Sequence, residues 1–223
     1  MSEDRGVAAL LRLMAWMSPA FPVGGFSYSG GLEKAVEDRR VSDAAGLHGW
    51  VEVLLRSGSL WNDAVFLADA WRNGTDAVAL SEAADLARAL AGSAERYRET
   101  VLLGDAFVSA AGAWPHAVLE LLPKEVPYPV AIGAVAAGHG VPLRETLAAF
   151  LHAGVSQIVS AGIRLGVAGQ KDGVAILAAS EATIGEMAAR AVQSTLDDLG
   201  SATVIADTAT MRHEMQGTRL FRS

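Results

Sequence analysis

The chain has 223 residues, 51% apolar and 19% charged, which suits one large or two small domains and supplies enough apolar side chain to offset the entropy of ordering it. A formal charge of -7 excludes the strong basic field that concentrates proteins on nucleic acid or anionic lipid. The absence of cysteine excludes disulfides, thiolate metal sites, iron–sulfur clusters and a cysteine nucleophile, and fits a reducing cytosol.

In chain order, the start Met1-Ser2-Glu3-Asp4-Arg5 carries two acids and no basic stretch ahead of Leu10-Leu11-Arg12-Leu13, so no secretory leader is expected. Two prolines and four glycines between Ser18 and Glu33 end the first helix. Leu47, Trp50, Val51, Leu54 and Leu55, between a Ser42 cap and Ser57-Gly58, mark one amphipathic helix. Residues 61–71, stopped by Asn73-Gly74, and residues 76–90 predict two more, and after Gly92-Ser93 a further helix aligns Tyr97, Val101, Gly104, Val108 and Ala111. Pro115, Pro123, Pro127 and Pro129 then make the best linker in the sequence.

Residues 130–137 predict a short apolar helix, and Pro142, at an N1-like position, opens a long one to about Gly166. Within it, residues 146–163 are eighteen uncharged residues, close to the minimum for a membrane span; His152, Ser156, Gln157 and Ser160 favour a buried helix instead. A last helix is expected over residues 181–199, and residues 174–177 and 203–206 are β-like fragments too short for a sheet. The fold class is therefore all-α, a helical bundle of about eight to ten helices in one domain. Its expected extent is residues 1–206, with residues 207–223 a docking tail that is flexible without partners.

Motifs for chemistry are absent. The nearest approach to a P-loop, Gly25-Phe26-Ser27-Tyr28-Ser29-Gly30, lacks the Lys-Ser that reaches phosphate and magnesium. His48, His116, His139, His152 and His213 have no metal-ligand spacing, and no G-x-S-x-G elbow surrounds Ser27 or Ser29. A dispersed site pairing Ser27 or Ser29 with a distant histidine, as in a small helical hydrolase, is the alternative. The acids read as solvated helix faces.

Two stretches break the rules of a plain bundle. Residues 18–33 place Phe21, Phe26 and Tyr28 in an irregular, glycine-rich segment, where a capped helix start with a Phe26 staple explains one aromatic of three. The tail interleaves Met211, Met215, Leu220 and Phe221 with Arg212, Arg219 and Arg222, a pattern of apolar anchors and arginines suited to docking on a partner.

The first of these, Phe21-Pro-Val-Gly-Gly-Phe-Ser-Tyr-Ser-Gly-Gly-Leu-Glu33, resembles the N-terminal motif of the UreF family of urease accessory proteins. Met211-Arg-His-Glu214 with Arg219-Leu-Phe-Arg-Ser223 is similar to that family's C-terminal signature. Arg164-Leu165, Gly169-Gln170 and Asp172-Gly173 resemble a third motif, with Val167 in place of a usual proline, which lets the preceding helix run on. The resemblance implies an all-helical, dimeric, cytoplasmic adaptor that is not an enzyme and carries no cofactor. It also implies binding to UreD (UreH), to the GTPase UreG and, through them, to the urease apoprotein during GTP-dependent nickel insertion. By that resemblance Met211, Arg212, His213, Glu214, Arg219, Leu220, Phe221, Arg222 and Ser223 would meet UreD. Phe26, Tyr28, His152 and Lys171 would belong to the UreG-facing surface, Arg164 and Lys171 would be the candidates for acting on that partner's nucleotide if they face it, Gln170 would be a further partner-binding residue, and Glu33 would be a capping or structural carboxylate.

Overall fold

A computed structural model describes residues 2–223, with side chains described from residue 6 onward. The α-helices are α1 (Ser2–Trp16), α2 (Leu32–Glu37), α3 (Ala44–Ser57), α4 (Ser59–Arg72), α5 (Ala77–Ala89), α6 (Ala94–Ala111), α7 (Val118–Leu121), α8 (Tyr128–Gly138), α9 (Leu143–Arg164), α10 (Gln170–Val192) and α11 (Val204–His213). Two 3-10 turns, Gly25–Ser27 and Leu196–Asp198, complete the set, and no strand occurs among the described residues. The bundle is one all-α domain.

Local chemistry explains most boundaries. Asp43 caps α3 by accepting from the Gly46 amide at 2.8 Å, Asp76 caps α5 from Val78 and Ala79, and Ser93 caps α6 from Arg96 at 3.0 Å. The cap of α3 is thus Asp43, one residue after the Ser42 expected. Pro142 sits at the N-cap of α9, also one place earlier than expected. Helix α9 ends at Arg164 with Gly166 left-handed (φ 78°), so Val167 does not extend it.

The greater difference lies in the C-terminal third. Residues 174–177 are interior to α10, which starts at Gln170 and stops at Val192. Four β-branched or aliphatic residues in a row gave them a strand-like look, but Gly173, Ile176, Ser180, Thr183, Ile184 and Met187 form the buried, helix-spaced face. Residues 203–206 likewise open α11.

The core centres on α8, buried on all sides from Pro129 to Ala136 and held between α4 and α6. Backbones approach closely there: a Cβ on Gly133 would lie 2.3 Å from the Leu67 carbonyl oxygen. The proline-rich segment expected as a linker is packed instead, with Val126 buried and its carbonyl lying against Gly104 of α6. Helix α9 is the one described helix long and apolar enough to cross a membrane. It packs against α3, α4 and α10 and buries Leu147, Leu151, Val155, Ile158 and Val159.

Candidate functional site

The glycine-rich motif, the tail and the end of α9 come together at one end of the bundle. Gly24, Gly30 and Gly31 all have positive φ, and Gly31 also carries a close approach: a Cβ there would stand 2.8 Å from the Thr210 backbone nitrogen. That lets α11 lie directly on the start of α2.

Onto this seat the tail folds back. Glu33 accepts from the backbone amides of Leu220 (2.7 Å) and Phe221 (3.0 Å), and its second oxygen also faces His213 Nε2 at 3.0 Å. Glu95, on the first turn of α6, faces His213 Nδ1 at 2.7 Å and pairs with Arg219 through its other oxygen. The Arg222 amide donates to the Ser27 carbonyl at 2.7 Å, and the Ser223 carbonyl accepts from the Ser29 amide at 2.8 Å and from the Ser29 hydroxyl. The Ser223 hydroxyl donates to Glu99 at 3.3 Å, and Glu214 accepts from the Ala94 amide at 2.7 Å, adding a cap to α6.

Burial makes these contacts matter: His213 and Ser223 are fully enclosed, and Phe221, Glu33 and Glu95 are nearly so. Burial pushes the Glu33 carboxyl up, but the Leu220 amide, His213 and the Phe221 amide together outweigh it and hold the group below the ordinary glutamate value. At Glu99 burial dominates and raises the carboxyl, with Arg96 opposing it. Arg96 bridges Glu99 (3.4 Å) and Asp63 beneath the tail.

Arg164 reaches across from α9. One guanidinium nitrogen donates to the Phe26 carbonyl at 2.6 Å, and the group lies 4.2 Å above the Phe221 ring. Phe26, His152, Arg164 and Met211 line the same cavity of about 600 Å³, with Asp63, Arg96 and Glu99 in its wall. Gln170 and Lys171 are exposed at the first turn of α10 and do not line it.

Of the expected partner-facing residues, Phe26 is 72% exposed in its 3-10 turn, so it is not a staple. His152, expected as a core or interface side chain, is exposed on α9. Tyr28 corrects the reading of three free aromatics: it is 5% exposed, its carbonyl accepting from Gln157, and its ring belongs to the interior. Within the tail, Met211, Arg212, Arg219, Leu220 and Arg222 face outward, whereas His213, Phe221 and Ser223 face in and Glu214 is half-buried. In the structure the tail lies against the chain's own residues, and α11 (Val204–His213) spans the 206/207 boundary expected for it.

Reading the sequence missed Glu95, Glu99 and Arg96, which have the polar look of an ordinary helix face; no local spacing marks them. The Ser29 hydroxyl is occupied by the Ser223 carbonyl and the Glu33 amide, and among the described residues no serine hydroxyl bonds a histidine. Glu33 and Glu95 flank opposite nitrogens of His213 rather than converging on one point, and no metal-holding group of three or more occurs among the described residues.

Residues 41–181 match the family model of UreF, and the chain is 87% identical, over all 223 residues of both proteins, to the urease accessory protein UreF of Agrobacterium fabrum strain C58. The chain belongs to the UreF family. A Rhizobium johnstonii protein called urease accessory protein UreF is 62% identical over the full length of both. Urease accessory protein UreF 1 of Brucella canis is 58% identical over 215 residues, 96% of this chain and 94% of the relative. The span matched by the family model leaves out the glycine-rich motif and the tail, but the full-length UreF relatives align across both.

Proposed function

We propose that this chain is an accessory protein of urease maturation that links UreD (UreH) to the GTPase UreG, so that nickel is delivered to the urease apoprotein in a GTP-dependent step. The observation that carries this is the end-to-end similarity to proteins named for urease accessory function. Nickel is cargo in this reading, not a resident cofactor. The chain works in the cytoplasm as a homodimer and modulates the GTPase by binding one nucleotide-linked conformation better than another.

The outward side of the tail, Met211, Arg212, Arg219, Leu220 and Arg222, would contact UreD. His213, Glu214, Phe221 and Ser223 would contribute by holding that side in shape rather than by touching the partner. Phe26, His152, Arg164, Gln170 and Lys171 would contribute to the UreG-facing surface. Supporting this is the exposure of Phe26, a large ring held outward with only two rotatable bonds to order on binding.

The test is co-purification with UreD and UreG. Removing residues 220–223 is expected to weaken capture of UreD, and Phe26→Ala to weaken capture of UreG with the thermal midpoint unchanged. Undiminished capture of both partners by both variants would overturn the assignment of faces, and normal urease activation in cells lacking the chain would overturn the role.

A further inference from the structure

The cavity behind Phe26 and the tail extends over about 600 Å³, a size common among small-molecule sites. Trp16, Phe21, Phe66, Tyr128 and Phe150 line it. Tyr128 and Phe150 have ring centroids 5.8 Å apart and planes inclined at 49°, so they form a corner rather than a stack. The Tyr128 amide donates to the Thr100 hydroxyl at 3.3 Å, which places the residue beside the stretch of α6 that carries Arg96 and Glu99. Its own hydroxyl makes no hydrogen bond among the described residues, and burial alone pushes that group above the ordinary tyrosine value.

The other ionisable side chains along this cavity are Asp63, Arg96, Glu99, His152, Arg164 and Asp207. Both guanidinium groups are engaged: Arg96 with Asp63 Oδ2 and Glu99 Oε2, and Arg164 with the Phe26 carbonyl and the Phe221 ring. Asp207 accepts from the Ser201 and Thr203 hydroxyls, and His152 stands on the exposed side of α9. The remaining oxygens, Asp63 Oδ1 and Glu99 Oε1, take no hydrogen bond among the described residues. The wall thus offers oxygen acceptors and aromatic rings but no uncommitted guanidinium or ammonium group, which suits a positive head and repels an anion.

We propose that this cavity is a binding site for a free organic amine, with the ammonium head at Asp63, Glu99 and the Tyr128 hydroxyl and the apolar body among Phe21, Phe66 and Phe150. A primary ammonium has three N–H donors and no acceptor, which matches unbonded oxygens on those three residues. The aromatic rings attract the cation and keep water from the body. The site goes beyond the adaptor role and is tested on the chain alone, so either can fail without the other.

The probes are phenethylamine, phenethyl alcohol and phenylacetate, which have nearly the same body and at about pH 7 carry a positive, a neutral and a negative head. Titration calorimetry of the full chain is expected to show one-to-one binding of the amine, about tenfold or more tighter than the alcohol, with phenylacetate weaker than both. Tyr128→Phe removes a hydroxyl without stranding a partner, so the thermal midpoint should hold while the amine weakens about tenfold. Asp63→Asn should bring the amine down to the affinity of the alcohol. If either variant does not fold, the comparison of the three heads decides. Amine binding that is absent, that the alcohol or phenylacetate equals, or that a folded variant leaves unchanged overturns the site. The last result would assign the binding to loose attraction by a chain of formal charge -7.

Discussion

Where α4 meets α8 the contact is apolar and so close that backbone lies on backbone; where the tail meets α2 and α6 the contact is charged, and nearly every polar atom has a named partner. Both regions are buried, but they fail differently. The first tolerates no added atom, because the Leu67 carbonyl cannot move without moving α4. The second tolerates no lost partner, because an enclosed charge or amide left alone keeps its full desolvation penalty. A core of the first kind sets whether the chain folds, and a clasp of the second kind sets which segments stay joined once it has.

The sharpest separation of the two comes from Gly133→Ala and Gly104→Ala. The added methyl would sit 2.3 Å from the Leu67 oxygen in one and 1.8 Å from the Val126 oxygen in the other, and in both the obstacle is backbone. The expected loss is about 3 kcal/mol or more, read as a drop in the denaturant midpoint of the whole domain. Gly185→Ala in α10 is the matched control: nothing lies within 4 Å of its added carbon, so it should stabilise by about 0.5 to 1 kcal/mol through helix propensity. Equal effects at Gly133 and Gly185 would contradict the close packing of α4 on α8.

Next in size is Glu33→Ala, which strands the Leu220 and Phe221 amides and one side of His213. It is expected to cost about 2 to 4 kcal/mol of tail docking. Exchange protection should be lost over residues 204–223 and kept in α8. A uniform loss across the bundle would mean that the clasp is part of the core rather than an attachment to it.

The same carboxylate gives the docked tail an acid limit. Its value is held below the usual 4.5, so its contribution is present above about pH 4.5 and disappears as pH falls through the lowered native value. Tail protection should therefore fall on acidification, and Glu33→Gln should remove that dependence. Acid loss that persists unchanged in Glu33→Gln would assign it to another group.

What the sequence discloses about these two regions differs for a physical reason. The apolar half is written locally: Leu47, Trp50, Val51, Leu54 and Leu55 recur at helical spacing, and all five are buried on α3. Gly92-Ser93 likewise announces the cap of α6. The clasp is written across the chain, in pairs such as Glu33 with Leu220 and Glu95 with His213, more than a hundred residues apart. No period joins them, so Glu95 reads as one more surface acid on α6. Tyr28 shows the complementary error, since an aromatic in an irregular segment looks exposed until the segment's path over α9 is known. The motifs that carry the resemblance meet in the structure, but nothing in their spacing says which of their side chains face in.

The smallest expected effect lies on the outer rim of the same region and tests whether exposure and docking chemistry coincide. Phe26 projects outward while only its carbonyl is held, by Arg164. Phe26→Ala removes a ring that packs little in the folded chain, so stability should change by no more than about 0.5 kcal/mol. The contact between Arg164 and the Phe26 carbonyl involves backbone and should survive, leaving the stack on Phe221 and the tail protection as they were. A midpoint that falls by several degrees, or tail amides that lose protection in this variant, would place the Phe26 ring in the packing of the clasp and remove it from the surface available to a partner.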